Sequence, residues 1–526
     1  MGEKIDNKVS PTTLPEGNEH HGPRGSDLPF WKQPELRKLY GLTLILFLGS
    51  TTLGYDGSLL NGLQTMKSWN EYFDSPTGSR LGIFGAVPGF GGLFVLLFTP
   101  YIADGIGRKR GTAIGCFFVV LGSLLQTFTP DSSATRRDSM YLIGRFLMGF
   151  GSNISNGTCP LLITEIAHPR HRGRITTLYN TIWYLGAILA AWTCFGTLYG
   201  QSGKKQWTIP TGLQCLMPGI QMFGVWLLPE SPRWLVSKGK EDEALKMLVK
   251  YHGNNNANDE FVHWEFSEIV TTLRLEREAA SSTGWADLWR TPGNRKRCAL
   301  IIATAIFSQC SGNGLVSYYL AQVLNTIGIK DSITQAYING GLTIWCLAVC
   351  LVSALFVDRI GRRVLFLTAG IGMLIAFSIW TACSAVYANS SSKSAGVAVV
   401  AMIFIFYGAA GVAWPGLTVS YTVEILPYHI RAKGLTLCFV FTSLSGVFNQ
   451  WVNPLGLEAL QWKFYFVYIA VLVIECLVIY FFFVETRGPT LEEIAVLFDG
   501  KDSAAAMGKI QANSKIEESV ELKEHA

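Results

Sequence analysis

Along this chain, long unbroken apolar stretches alternate with short polar connections, a texture unlike the period-two alternation of half-buried strands or the 3.6-residue stripe of surface helices. Twelve apolar runs, each about the twenty residues that a helix needs to cross a bilayer's hydrocarbon core, fall near 40–66, 80–103, 111–129, 140–163, 175–198, 209–228, 298–325, 333–357, 364–386, 395–423, 435–454 and 463–484. Lipid offers no water to an unpaired backbone group, so such runs are expected to be helices. Six precede and six follow a polar insert, in which Glu241–Lys250 and Phe266–Glu278 mix apolar and charged positions as short amphipathic surface helices do. The pattern predicts an all-α membrane protein: a polar tail at 1–39, six helices in 40–228, a cytosolic helical linker at 229–297, six more helices in 298–484 and a second tail at 485–526.

Composition sharpens this picture. The 526 residues are 49% apolar and only 15% charged, against about 25% charged in ordinary globular chains, and the mean hydropathy is +0.28. A soluble enzyme is excluded on this basis, and no nucleophile–base constellation stands out in the sequence. The net charge of +5 is too modest for nucleic-acid binding. Eleven cysteines fall singly, mostly in apolar runs and without zinc-site spacing, so they read as small buried hydrophobes and no metal is expected. All eight histidines lie outside the apolar runs, which leaves carboxylates as the groups able to carry protons within the membrane. The first apolar run is too long for a cleaved leader and is expected to remain as a span. Of 43 lysines and arginines, 33 sit in the tails, the insert and alternate loops, nine in the other loops, and Arg145 alone within a span. The positive-inside rule then puts both termini in the cytosol. Asn389 heads an Asn-Ser-Ser sequon in an outside loop and is a candidate for glycosylation, whereas Asn153 and Asn156 fall within a span.

The halves repeat each other. Asp104, Gly107 and Arg108 are answered 254 residues on by Asp358, Gly361 and Arg362; Glu165 and Arg172 by Glu424 and Arg431; and Glu230, in Pro-Glu-Ser-Pro-Arg233, by Glu485, in Val-Glu-Thr-Arg. Two similar bundles in parallel orientation suit a substrate site between them and alternating access by rocking. The repeated charges, Asp104, Arg108, Glu165, Arg172, Glu230, Arg233, Asp358, Arg362, Glu424, Arg431 and Glu485, read as a cytosolic gate whose pairs form when the inner side closes.

These motifs, with Gly144-Arg145-Phe146 and Gly54-Tyr55-Asp56-Gly57-Ser58, resemble the sugar porters of the major facilitator superfamily across about 40–495; Phe307 to Gly314 and Val423 to Leu426 look most like a fungal branch labelled lactose permeases and cellodextrin transporters. The resemblance implies the twelve-helix major facilitator fold. There are departures. Gly105 stands where a basic residue is usual, Lys109 where arginine is, Gly314 where asparagine is, and Cys346 at a frequent asparagine position. Val419 and Gln450 replace tryptophans of the hexose carriers, which enlarges the expected cavity and points to a disaccharide.

A neutral sugar needs amides for its hydroxyls and rings for its flat C–H faces. By resemblance Asn180, Gln309, Asn449 and Asn453 are the amides. Asn313, in the glycine-interrupted seventh span, and Trp183 and Trp414 are further substrate-binding candidates, each ring being also explicable as packing. A carboxylate within a span is costly and functional by default. The resemblance makes Asp56 the proton-coupling residue, and Arg145 is its expected partner. Glu475, in the last span, is also acidic, but no partner for it is legible. The expectation is a monomeric plasma-membrane symporter importing a neutral sugar, a disaccharide such as lactose or cellobiose, on the proton gradient with no other cofactor. The alternatives are a sugar sensor on the same fold and a monosaccharide transporter.

Overall fold

The computed structural model describes residues 30–96, 98–282, 284–487 and 497–498, and the described residues contain helices and no strand. Among the described residues, twelve helical passes run in chain order. The first is Pro34–Gln64; the second is Gly78–Leu96 continued by Thr99–Ile106; the third is Arg108–Thr127; the fourth is Ala134–Ile166. The fifth joins Pro169–Thr181 to Trp183–Gly200, and the sixth joins Lys205–Leu213 to Leu216–Gly224. After the insert, the seventh pass is Pro292–Cys310 with Asn313–Thr326, the eighth Ser332–Ile360 and the ninth Arg362–Ser390. The tenth is Lys393–Gly411 with Trp414–Ile425, the eleventh Tyr428–Leu460 and the twelfth Tyr465–Phe482.

Eight segments of the described residues are long and apolar enough to cross a membrane by length and composition, the last of which, Lys433–Phe482, spans two passes. Outside them stand the first and fourth passes, which carry Asp56 and Arg145 in their apolar middles, and the sixth, broken into two nine-residue helices. The seventh pass breaks at its glycines, at Ser311-Gly312, and the tenth at Val412-Ala413, just before Pro415; the fifth and sixth break at Ile182 and at Gln214-Cys215, which the apolar pattern does not signal. Large apolar side chains such as Phe94, Phe128, Phe223, Phe448 and Phe481 point outward, as lipid-facing positions do.

The internal repeat recurs in the packing. The first pass lies against the fifth, and the third against the fourth and sixth; correspondingly the seventh lies against the eleventh, and the ninth against the tenth and twelfth. The halves meet where the second crosses the eleventh and the fifth crosses the eighth. Gly85 and Gly89 line the first of these seams: a Cβ there would fall 2.4 Å from the Tyr319 hydroxyl and 2.5 Å from Val447. Their four-residue spacing therefore serves close helix approach.

The insert forms Pro232–Ser237, Glu241–Tyr251, Glu260–Ser282 and Asp287–Arg290. It docks on the first half through Leu248, Tyr251 and Val262, which pack with Leu36, Leu39 and Ile166. His252 bridges the Glu265 carboxylate (2.7 Å) and the Ile166 carbonyl (3.2 Å) beneath the fourth pass.

On the face away from the insert the halves are clasped. The seventh pass kinks at Tyr319, whose backbone is non-helical (φ −137°, ψ 31°), and into that kink comes the buried side chain of Asn61 from the first pass. Asn61 Nδ2 donates to the Val316 carbonyl (3.2 Å) and to Asn339 Oδ1 (3.1 Å), while the Leu320 N–H donates to Asn61 Oδ1 (3.0 Å). Val316 and Leu320 are four residues apart, so Asn61 takes the place of one backbone bond of the helix. Gln64 adds a bond to the Tyr318 carbonyl (2.7 Å) and Thr77 one to Glu458 (3.0 Å).

Candidate transport site

Asp56 sits in the middle of the first pass, 6% exposed. Because the sixth pass breaks at Gln214, that residue's amide turns inward, and its Nε2 donates to Asp56 Oδ1 (3.0 Å); Ser152 of the fourth pass donates to Oδ2 (3.3 Å). Arg145, 4% exposed, makes no ion pair with Asp56 in this conformation. Its Nε donates instead to the Phe84 carbonyl (3.1 Å). The reason is local. Pro88 lies four residues after Phe84 inside the same helix and has no N–H to offer that carbonyl. The same happens across the seam, where Pro454 leaves the Gln450 carbonyl free and the Tyr319 hydroxyl donates to it (2.5 Å).

Trp183 opens the second helix of the fifth pass where that pass crosses the first very closely: a Cβ on Gly54 would fall 1.9 Å from the Trp183 carbonyl oxygen. The Trp183 ring faces Gly57, beside Asp56. Asn180, one turn earlier, has an exposed side chain.

The other amides gather around the break of the seventh pass, where Gly312 adopts a left-handed backbone (φ 98°). Asn449 donates to the Gln309 carbonyl, and the Tyr468 hydroxyl of the twelfth pass donates to Asn449 Oδ1 (2.7 Å) and contacts the Asn453 amide. Asn313 donates to the Ser308 carbonyl (3.0 Å), and its own carbonyl accepts from Tyr407. A Cβ on Gly314 would fall 2.3 Å from Asn449 Nδ2, so glycine at this position lets the eleventh pass come close. The Gln309 amide is half-buried and has only a 3.5 Å contact with Ser308. The structure thus gathers Gln309, Asn313, Asn449 and Asn453 in one cluster and places Asn180, Trp183 and Asp56 along the crossing of the first and fifth passes. Trp414 is 7% exposed and packs on Phe366 with ring centres 4.9 Å apart. Val419 is exposed and Gln450 half-buried. Asn389 is exposed near the end of the ninth pass.

The repeated charges pair within each half. Arg108 bridges Asp104 (3.1 Å) and Glu165 (2.9 Å), and Arg362 pairs with Glu424 (3.2 Å). Glu230 accepts from the Lys109 N–H (3.3 Å), and Glu485 accepts from the N–H groups of Arg362 (2.8 Å) and Arg363 (3.1 Å). The Pro-Glu-Ser and Glu-Thr-Arg motifs thus supply an anion to the N-termini of the third and ninth helices, where backbone N–H groups lack helical partners. Burial lifts the Glu230 carboxyl above the usual carboxylate range, against the Ser231 and Lys109 N–H groups that favour the anion. Arg233 reaches Glu276 (3.5 Å), Arg431 donates to the Leu426 carbonyl (3.3 Å), and Arg172 is exposed. The Asp358 side chain lies outside the described residues.

Sequence reasoning missed Ser152, Gln214, Ser311 and Asn61. Each is a polar residue inside an apolar run, and for Gln214 the break of its helix was the missing clue.

Residues 42–498 match the family model described as "Sugar (and other) transporter". The MFS-type transporter criB of Aspergillus cristatus is 31% identical over 466 residues, covering 87% of this chain and 94% of its own. The high glucose sensor RGT2 of Saccharomyces cerevisiae is 28% identical over 86% of this chain and 60% of its own. The inward-open structure of the xylose transporter XylE from E. coli superposes with a TM-score of 0.72 at 21% identity, over 88% of this chain and all of the other. Relatives and structural neighbours alike are transport-family proteins and not enzymes. The chain belongs to the sugar transporter family of the major facilitator superfamily, and is a multi-pass membrane protein of that fold.

Proposed function

We propose that this protein imports a neutral sugar together with a proton by alternating access, and that the sugar is a disaccharide such as lactose or cellobiose. The observation that carries the proposal is Asp56: a buried carboxylate held by Gln214 and Ser152 while Arg145 is engaged elsewhere, in a conformation clasped on the face away from the insert. With the insert in the cytosol, the clasped face is the outer one. A neutral Asp56 accepts from Gln214 at one oxygen, turns its own O–H toward the Ser152 hydroxyl at the other and needs no cation, whereas an ionised one, accepting from both, carries a buried charge that needs Arg145. Phe84 and Arg145 lie in the same half, so what moves one against the other is a bend of the second pass at Pro88 as its seam with the eleventh rocks. That bend decides whether the guanidinium caps the Phe84 carbonyl or pairs with Asp56, which ties protonation to the direction the site faces. Uncharged amides at Gln309, Asn313, Asn449, Asn453 and Asn180 suit an uncharged, hydroxyl-rich ligand, and Trp183 and Trp414 supply rings. Val419 and Gln450, in place of large aromatics, leave room for a second sugar ring. The carrier works as a monomer in the plasma membrane with both termini inside and Asn389 glycosylated outside. The proton gradient is its only coupling requirement.

Similarity to a glucose sensor favours a second reading, in which the same site signals rather than transports, or takes a monosaccharide. One experiment separates the readings. Uptake of labelled lactose, cellobiose, glucose and xylose is measured in cells without their own carriers, with and without an uncoupler. Disaccharide uptake that the uncoupler abolishes is expected, and Asp56→Asn should lose accumulation while retaining exchange. Monosaccharide-only uptake would overturn the disaccharide assignment, and accumulation unchanged in Asp56→Asn would overturn the role of that residue. A protein present at the surface that transports none of these would favour the sensor.

A further inference from the structure

Glu475 has no part in that mechanism, yet it lies fully buried in the twelfth pass. Its Oε2 contacts the Ser311 hydroxyl at the break of the seventh pass, and its Oε1 is buried with no hydrogen-bond partner among the described residues. Among the described residues, the two helices packed against this part of the twelfth pass present no charge to it. The seventh offers Ser311 and, nearby, the Cys310 thiol, and the ninth offers Gly370, whose Cβ would lie 3.7 Å from Oε1. On its own helix the titratable neighbours are Cys476 and, two turns away, Tyr468.

Counting hydrogens decides what this carboxyl carries. The Ser311 hydroxyl lies within hydrogen-bond distance of two acceptors, the Phe307 carbonyl and Glu475 Oε2, but owns one hydrogen. Both contacts are filled if Glu475 bears a proton: the carboxyl donates to Ser311, and Ser311 donates to Phe307. Without that proton, an anion would face apolar side chains with one oxygen unpartnered and no cation to compensate it, an arrangement proteins avoid.

The position is not arbitrary. Ser311 lies 255 residues after Asp56, within the spacing of the internal repeat, so a polar residue at the same point of each half's opening helix reaches the closing helix of that half. In the first half an acid on the opening helix binds Gln214 on the closing helix; in the second, a hydroxyl on the opening helix binds an acid on the closing one. Ser311 is also two residues past Gln309, whose carbonyl holds Asn449, which in turn holds Tyr468 on the same helix as Glu475. The carboxyl and the Asn449 amide are therefore two bridges between the same pair of helices, the seventh and the twelfth, the second running through the eleventh.

We propose that Glu475 is a second proton-binding carboxyl of this carrier, whose proton fastens the twelfth helix to the break of the seventh and so fixes that hinge beside the sugar amides. The proton itself is independent of the transport reading; the consequence for the sugar cycle rests on it. The test uses the full chain in lipid, in an Asp56→Asn background. Infrared spectra at neutral pH should show a carboxylic-acid C=O band that Glu475→Gln removes and Ser311→Ala shifts to higher frequency. No such band, or a band that survives Glu475→Gln, would overturn the proposal. In sugar exchange, the parent should fall at alkaline pH by about tenfold per unit beyond one midpoint, and Glu475→Gln should abolish that fall. Superimposable pH profiles would overturn the hinge role. Absence of any sugar exchange, with the infrared band present and removed by Glu475→Gln, would instead overturn the transport reading and leave the proton on Glu475 standing.

Discussion

Replacing Asn61 by alanine removes the clasp between the halves, and its cost can be worked from the bonds lost. Three hydrogen bonds cross from this amide to the second half: to the Val316 carbonyl, the Leu320 N–H and Asn339. A buried hydrogen bond is worth about 1 kcal/mol net. Because Val316 and Leu320 are helical partners by spacing, they regain one bond with each other once the amide has gone, so the net loss is about 2 kcal/mol. At 1.4 kcal/mol per factor of ten, the equilibrium should move about thirtyfold away from the clasped conformation. In the proposed cycle the far face opens in the competing state, so the loss falls on the clasped state alone and becomes a change of population rather than of overall stability. Spin labels at Lys67 and Lys463, both exposed, on a background whose free cysteines have been replaced, would read the distance between the halves on that face. The short-distance population should shrink in Asn61→Ala and recover in part in Asn61→Gln. An unchanged distance distribution in Asn61→Ala, with thermal stability also unchanged, would refute the assignment of Asn61 as a clasp.

Gly54→Ala would put a Cβ 1.9 Å from the Trp183 carbonyl, so the first and fifth passes must separate by about 1 Å, an overpacking cost of about 1–3 kcal/mol. Its melting temperature in detergent should fall, while that of Gly57→Ala, whose Cβ meets only a ring atom at 3.7 Å, should hold. Glu485→Gln should cost about 1 kcal/mol by taking the negative charge from the N-terminus of the ninth helix, read as a lower melting temperature and slower exchange. Burial first, and then the neighbouring charges of His252, His171, Arg170 and Arg172, depress His168 from 6.5 to about 3. Its contribution to stability is therefore complete above pH 6.5 and is lost progressively as pH falls toward 3, by up to about 1.4 kcal/mol per unit. His168 stacks on Phe261 of the insert (5.0 Å), so proteolysis of the insert should accelerate at pH 5 relative to pH 7.5, and less so in His168→Phe.

Much of the fold was legible because lipid permits few solutions: an apolar run of twenty residues must be a helix, and its neighbours must sit on alternate sides of the membrane. The charge motifs announced themselves by repetition. What repetition concealed was their geometry, for Glu230 and Glu485 look like partners for arginine side chains and turn out to hold backbone N–H groups at helix starts. Gly107 and Gly361, with φ of 108° and 100°, make that possible by turning the chain so that each carboxylate reaches the next helix. A linear reading pairs charge with charge and overlooks the unpaired ends of helices as ligands.

The same omission explains Asp56. Pairing it with Arg145 was reasonable while each was viewed as the one ion near the other, but both sit among helices whose backbones are themselves incomplete. Pro88 strips a carbonyl of its donor and Arg145 supplies one; Pro454 does so in the other half and Tyr319 answers; the kink at Tyr319 strips a second carbonyl and Asn61 answers that. In hydrocarbon an orphaned carbonyl competes with a carboxylate for any nearby donor, since neither can turn to water. Polar residues in such a bundle are therefore apportioned between two kinds of demand, and a motion that opens or closes a proline-bearing seam changes the apportionment. In the proton-coupled cycle proposed above, Arg145 stands at that exchange point: whichever of the Phe84 carbonyl and the Asp56 carboxylate the seam leaves without another partner is the one it serves, and a helix rearrangement becomes a change in the charge state that Asp56 can sustain.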